Sequence, residues 1–221
     1  GDEEAVVADA DGDLTPPNVR LGAHKERDAL NGDIAEFMAF GDALNAAQVV
    51  ILQNYLAAKY GLTLASNDRY AFDANHGSNV AGIGQTGGES HTEAESAAFR
   101  ISNPASLSDG DFVLFGHDDQ AFSLTTSERP RDDNNARKVQ REWRVDLTGA
   151  STQTVDVEVD VSSLSLPSGF DDFGIFVDSD GDGDFSTGSP DFYPLDGSNT
   201  ASNVSLADGD YVTVGAVNRT V

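Results

Sequence analysis

Ser106-Leu107-Ser108-Asp109-Gly110-Asp111-Phe112-Val113-Leu114-Phe115-Gly116 recurs later in the chain as Ser205-Leu206-Ala207-Asp208-Gly209-Asp210-Tyr211-Val212-Thr213-Val214-Gly215, with seven of the eleven positions identical. Each copy sets an Asp-Gly turn ahead of a short strand rich in β-branched and aromatic residues. Two readings follow: two related β units that each close with this strand, or one common turn chemistry used twice. The extent of the match favours related units. Between the copies, Glu142 to Leu147 and Thr154 to Val161 alternate apolar and polar side chains, the pattern of half-buried strands. The fold class is therefore mainly β, in tandem β-sandwich modules spanning 65–136 and 137–221. Glu128 to Lys138, polar and nearly devoid of apolar residues, reads as the linker or an exposed loop between them. Gly82 to Gly88, which lacks a strand-then-helix context for phosphate binding, reads as a loop.

Upstream, Ala5 to Ala8, Asn18 to Ala23 and Asp33 to Phe40 read as short strands divided by Asp-Gly, Pro-Pro and Asn-Gly turns. One amphipathic helix follows at about 45–60. Asn45 is its N-cap and Gln48 completes a capping box. Gly61 stops it. Val49, Leu52, Leu56 and Tyr60 recur at helical spacing and are expected to face a sheet.

The chain carries 38 acidic and 13 basic residues, a formal charge of -25. Such a field repels nucleic acid and anionic membrane surfaces and favours cations. Asp supplies 28 of the acids and Lys only three of the bases. Short carboxylates suit calcium-binding turns, and an Asp-rich, Lys-poor surface suits hydration in high salt; both causes stand. Without cysteine, disulfides, thiolate metal sites and cysteine nucleophiles are excluded. No apolar run approaches the ~18 residues of a membrane span. The chain opens on Gly1 without a leader pattern, as expected of a processed or excised piece.

Val177-Asp178-Ser179-Asp180-Gly181-Asp182-Gly183-Asp184-Phe185 is the strongest site signal. Asp178, Asp180 and Asp182, with Gly183 in the sixth position, match the start of an EF-type loop, where alternate carboxylates converge on Ca²⁺ and the glycine allows the turn. Asp184, in the seventh position, would contribute its backbone carbonyl or its side chain. The twelfth is Ser189, which cannot serve as the usual bidentate ligand, and Asp191 is the substitute candidate. Preceded by a strand, the loop implies a structural ion on a sandwich. Asp9, Asp11 and Asp13 repeat the alternation in shorter form, as a second metal loop or a hairpin turn. The four histidines (His24, His76, His91, His117) show no metal-ligand spacing, and no nucleophile motif occurs, so the expectation is a protein that is not an enzyme.

Asn31-Gly32-Asp33-Ile34-Ala35-Glu36-Phe37, and Asn54-Tyr55-Leu56-Ala57-Ala58-Lys59-Tyr60-Gly61-Leu62-Thr63-Leu64, resemble the tail of a laminin-G-like (concanavalin-type) sandwich domain of large bacterial surface proteins. Val80 to Gly84, Trp143-Arg144-Val145, the acidic loop and the closing Asp-Gly-Asp-Tyr strand resemble the β modules that follow it there. The resemblance implies a domain tail over 1–64. It further implies secretion, display on the cell surface, and an adhesive or structural role with a glycan or surface protein as partner. A complete laminin-G-like sandwich needs well over a hundred residues, so its missing strands lie upstream or come from a neighbour. The second source implies self-association into a filament by strand complementation. A carbohydrate-binding module is the further alternative.

Overall fold

The computed structural model describes residues 30–218. The chain divides into two units, Gly1–Leu44 and Asn45–Val221. In the first, the described residues 30–44 form neither helix nor strand, which corrects the strand expected over Asp33 to Phe40. The order of its apolar residues explains the difference. Ile34, Ala35, Phe37, Met38, Ala39 and Phe40 do not alternate, and a strand persists only within a ladder. Leu30, Ile34, Phe37 and Phe40 are about half exposed. The strands expected at 5–8 and 18–23 lie outside the described residues.

The second unit opens with helix α1, Ala46–Tyr60. Its ends are those the local chemistry dictates: the Asn45 side chain accepts from the Gln48 N–H, and the Gln48 side chain accepts from the Asn45 N–H, both at 2.9 Å. Gly61, at φ 61°, closes it in the left-handed conformation. The buried face is not the expected one. Ala47, Val50, Asn54 and Ala57 face inward, while Val49 and Tyr60 are exposed and Leu52 and Leu56 half-buried. Small residues win because the helix lies close against the sheet. Asn54, in the apolar contact, is satisfied by donating to the carbonyls of Val50 and Asn67 and accepting from the Arg69 N–H, each at 2.8 Å.

After the single-turn helix α2 (Asp73–His76) come twelve strands: β1 Ser78–Thr86, β2 Glu89–His91, β3 Ala94–Ser96, β4 Phe99–Ser102, β5 Phe112–His117, β6 Leu124–Thr125, β7 Ala136–Thr148, β8 Thr152–Val159, β9 Asp172–Asp178, β10 Asp191–Pro194, β11 Thr200–Ala207 and β12 Tyr211–Val217. One sheet runs β10-β9-β12-β7-β5-β1-β2, with β6 beside β7; the other runs β11-β8-β4-β3. The mainly β, sandwich-like class agrees with the sequence reading. The division at 64/65 and 136/137 does not: α1 packs on β1, β4 pairs with β8 and β5 with β7, so residues on both sides of each boundary form one unit. Glu128 to Lys138 is accordingly an internal connection that runs into β7, and Lys138 is buried. Gly82 and Gly84 belong to β1, where a Cβ at Gly84 would lie 2.2 Å from the Phe112 ring.

The two copies of the repeat are one local structure used twice. Asp111 and Asp210 each accept, through Oδ2, the N–H three residues earlier, from Ser108 and Ala207 at 2.8 Å. Gly110 donates to the Gln85 carbonyl of β1 and Gly209 to the Val145 carbonyl of β7. The strands they introduce, β5 and β12, then flank β7 on opposite sides. The two repeated strands therefore lie in one sheet with β7 between them.

The core between the sheets is built around Trp143 of β7, fully buried and stacked on Phe99 at 5.1 Å. Its indole N–H donates to the Ser96 carbonyl at 3.2 Å. The outer face of the larger sheet carries two further apolar patches, Val80, Phe112 and Leu114 under α1, and Ala136 and Phe176 under Phe185.

His117, at the end of β5, is 1% exposed. Its Nδ1 accepts from the Asp119 N–H at 3.0 Å, and its Nε2 lies 3.1 Å from the Asn79 side-chain amide nitrogen. Burial, reinforced by Arg141, lowers its pKa. The sign is therefore fixed: its contribution to stability is present above the unfolded value of about 6.5 and is lost as pH falls. Asp210, by contrast, is raised to about 6, chiefly by burial, and its protonation favours the fold over the same range. Comparing wild type with His117→Gln separates the two, because the variant's midpoint should fall less between about pH 7 and 5.

Candidate metal centre

Asp178 is the last residue of β9, which lies between β12 and β10, and it is 1% exposed. The chain then curls through a staircase in which each aspartate accepts an N–H two residues on. Asp178 Oδ1 accepts from Asp180 and Asp180 Oδ1 from Asp182, both at 3.3 Å, and Asp182 Oδ1 accepts from Asp184 at 2.7 Å. Asp178 Oδ2 also accepts from the Gly183 N–H at 3.0 Å. Gly181 and Gly183, at φ 75° and 80°, supply the left-handed backbone this path requires. One carboxylate oxygen from each of Asp178, Asp180 and Asp182 lies within 4.8 Å of the others.

The loop is held from three sides. Phe185 is fully buried against Ala136 and Phe176. Gly188 passes behind Asp180 so closely that a Cβ there would lie 2.3 Å from Oδ2. Gly183 rests on the ring of Tyr211, whose hydroxyl accepts from Arg144. The Arg144 guanidinium in turn lies 4.2 Å from the Tyr211 ring and 4.1 Å from Phe72.

Not every predicted ligand joins the group. The Asp184 Oδ1 accepts from the Ser186 N–H and hydroxyl at 2.9 and 2.6 Å, and these bonds lower its pKa. Asp191 opens β10 opposite Val177, exposed and outside the three-carboxylate group. Asp9, Asp11 and Asp13 lie outside the described residues. Asp210 was invisible as a participant in the sequence, because its role there is explained by its turn. Its pKa is nonetheless raised by burial and then by the nearby charges of Asp178, Asp191 and Asp208. Asp178 itself is raised by burial and by Asp180. Lys138, buried against the Phe185 ring at 5.1 Å and paired with Glu128 and Glu142, is a counter-charge beside the loop.

Carboxylates so placed are the ligand type that a hard cation takes. All-oxygen ligands select Ca²⁺, Mg²⁺ or Mn²⁺ over softer metals. Carboxylates set by a winding backbone suit the irregular six- to eight-fold coordination of Ca²⁺ better than the strict octahedron of Mg²⁺.

Fold and site together define a two-sheet β-sandwich with an outer helix and an acidic loop pinned to one sheet. The chain belongs to the family described as "Domain of unknown function (DUF8202)", whose profile matches residues 50–210. No curated protein and no solved structure matches it. The matched span crosses both boundaries expected between modules and takes in most of α1, in keeping with the single unit.

Proposed function

We propose that the chain is a structural, adhesive segment of a secreted bacterial cell-surface protein whose sandwich is stiffened by a calcium ion at Asp178, Asp180 and Asp182. The observation that carries this reading is the convergence of those three carboxylates, one of them buried, at the end of an interior strand. Bringing like charges together in a partly desolvated place is costly unless a cation accompanies them. The ion would be structural, because the loop is pinned by Phe185 and rests on a sheet and has no pair of mobile helices to move. The resemblance of residues 31–64 to a laminin-G-like tail supports the surface setting. Sheet edges bear on the filament alternative: β2, β3 and β10 are short, and β11 carries a bulge between Ala201 and Val204. Short or bulged edges resist strand addition, which disfavours polymerisation through the sheets of this unit.

The test is thermal unfolding of the purified chain in excess EDTA and in millimolar calcium. The midpoint should rise with calcium in a concentration-dependent way, and magnesium at equal concentration should give a smaller rise. An identical melting curve in EDTA and calcium removes the metal from the proposal. Antibody labelling of intact source cells tests the location: surface staining is expected, and labelling only after permeabilisation refutes display.

A further inference from the structure

Asn31-Gly32 is the one place in the chain where glycine follows asparagine, and the pair has the composition of a hairpin turn. The fold does not use it as one. Residues 30–44 form neither helix nor strand, so among the described residues no ladder holds the pair. Both residues are exposed, and a Cβ at Gly32 would find nothing within 4 Å.

This setting leaves the main chain free to react with the side chain before it. The Gly32 amide nitrogen needs only one new bond, to Asn31 Cγ, to close a five-membered ring, and glycine has no Cβ to obstruct the approach or to restrict the backbone angles it requires. As that bond forms, the bond from Cγ to the side-chain nitrogen breaks, and the nitrogen leaves as ammonia with the proton that Gly32 gives up. Water then opens the cyclic imide at either carbonyl carbon. The product is an aspartyl residue, or an isoaspartyl residue in which the main chain runs through the side chain; in both, a neutral amide has become an ionised carboxylate.

Elsewhere the fold blocks the same step. Asp-Gly pairs can cyclise likewise, but the Gly110 and Gly209 N–H groups donate to the Gln85 and Val145 carbonyls at 2.8 and 2.9 Å, and the Gly183 N–H donates to Asp178 at 3.0 Å. A nitrogen held in this way is turned from its neighbour's side chain. Among the asparagines, the Asn45 side-chain oxygen is engaged as the cap of α1. Asn54 is buried with three hydrogen bonds. Asn103 precedes Pro104, whose nitrogen has no proton to give up.

We propose that Asn31 is a site of spontaneous deamidation through a cyclic imide with Gly32, so that the chain ages at one exposed position of its first unit while the asparagines of the second are spared. The experiment holds the whole purified chain at physiological temperature and mildly alkaline pH for several weeks, with intact mass and peptide mapping at intervals. The expected result is a gain of one mass unit, NH2 replaced by OH, that accumulates at Asn31 in both isomeric forms. It should be several-fold slower at mildly acidic pH, because the attacking nitrogen must lose its proton. Gly32→Ala should slow it several-fold, and Asn31→Gln, which would need a six-membered ring, should nearly abolish it. Both variants lie outside the sheets and should fold. An unchanged mass at Asn31, an equal gain at Asn45 or Asn54 in the folded chain, or an undiminished rate in Gly32→Ala each overturns the proposal.

Discussion

Trp143→Ala is expected to destabilise the protein by about 4 kcal/mol. The indole is the largest fully buried side chain and touches both halves of the core: it stacks on Phe99 and meets Phe122 and His117 edge-on at 6.2 and 6.0 Å. Truncation removes that transfer free energy, leaves a cavity that two hydrogen-bonded sheets cannot collapse to fill, and strips the Ser96 carbonyl of its indole donor. For a domain of this size the melting midpoint should fall by roughly 10 °C. Urea unfolding monitored by circular dichroism checks the value; a loss under about 1 kcal/mol would mean that Trp143 is not at the centre of the core. Trp143→Phe, which keeps an aromatic ring against Phe99, should recover much of the loss.

Asp178→Asn should uncouple stability from calcium. In the wild type, calcium at 100 to 1,000 times its dissociation constant should add about 3 to 4 kcal/mol. The variant should gain almost none of it. Without calcium the order changes: the amide relieves the burial of a charge and its repulsion by Asp180, but it can accept only one of the two N–H bonds from Asp180 and Gly183. The two forms should then agree within about 1 kcal/mol. Calcium titrations followed by thermal melting read both halves of the cycle. A variant equally weakened with and without calcium would make Asp178 a purely structural residue.

The physics that made parts of this fold legible is local. Asn45, Gln48 and Gly61 fix the ends of α1 through bonds spanning a few residues, and the Asp-Gly turns fix where β5 and β12 begin. The inward face of α1 was misread because Val49, Leu52 and Leu56 outweigh Ala47, Val50 and Ala57 in hydrophobicity. What decides the face is how closely a helix of small residues approaches β1, a property of the partner. The module boundaries failed for the same reason. Nothing in the pattern of β4 or β5 says that its ladder lies in β8 or β7, and two copies of one turn and strand suggest succession where both strands in fact flank β7. In the acidic loop the alternation of Asp178, Asp180 and Asp182 is enough to bring three carboxylates together. The Asp184 carboxylate stays out of the group because Ser186 captures it, and Asp210 joins the local field only because β12 lies next to β9.

That position of β12 governs the order in which the sheet can be completed. Its residues pair with β7 on one side and β9 on the other, from Tyr211 to Val217, so it is a keystone laid between two strands that were made earlier. Until those residues have been synthesised, β7 and β9 face each other across a gap, each with an unpaired edge of the kind that invites misassembly. A chain stopped before Tyr211 would not lose a margin; it would lose the join between the acidic loop and the rest of the molecule.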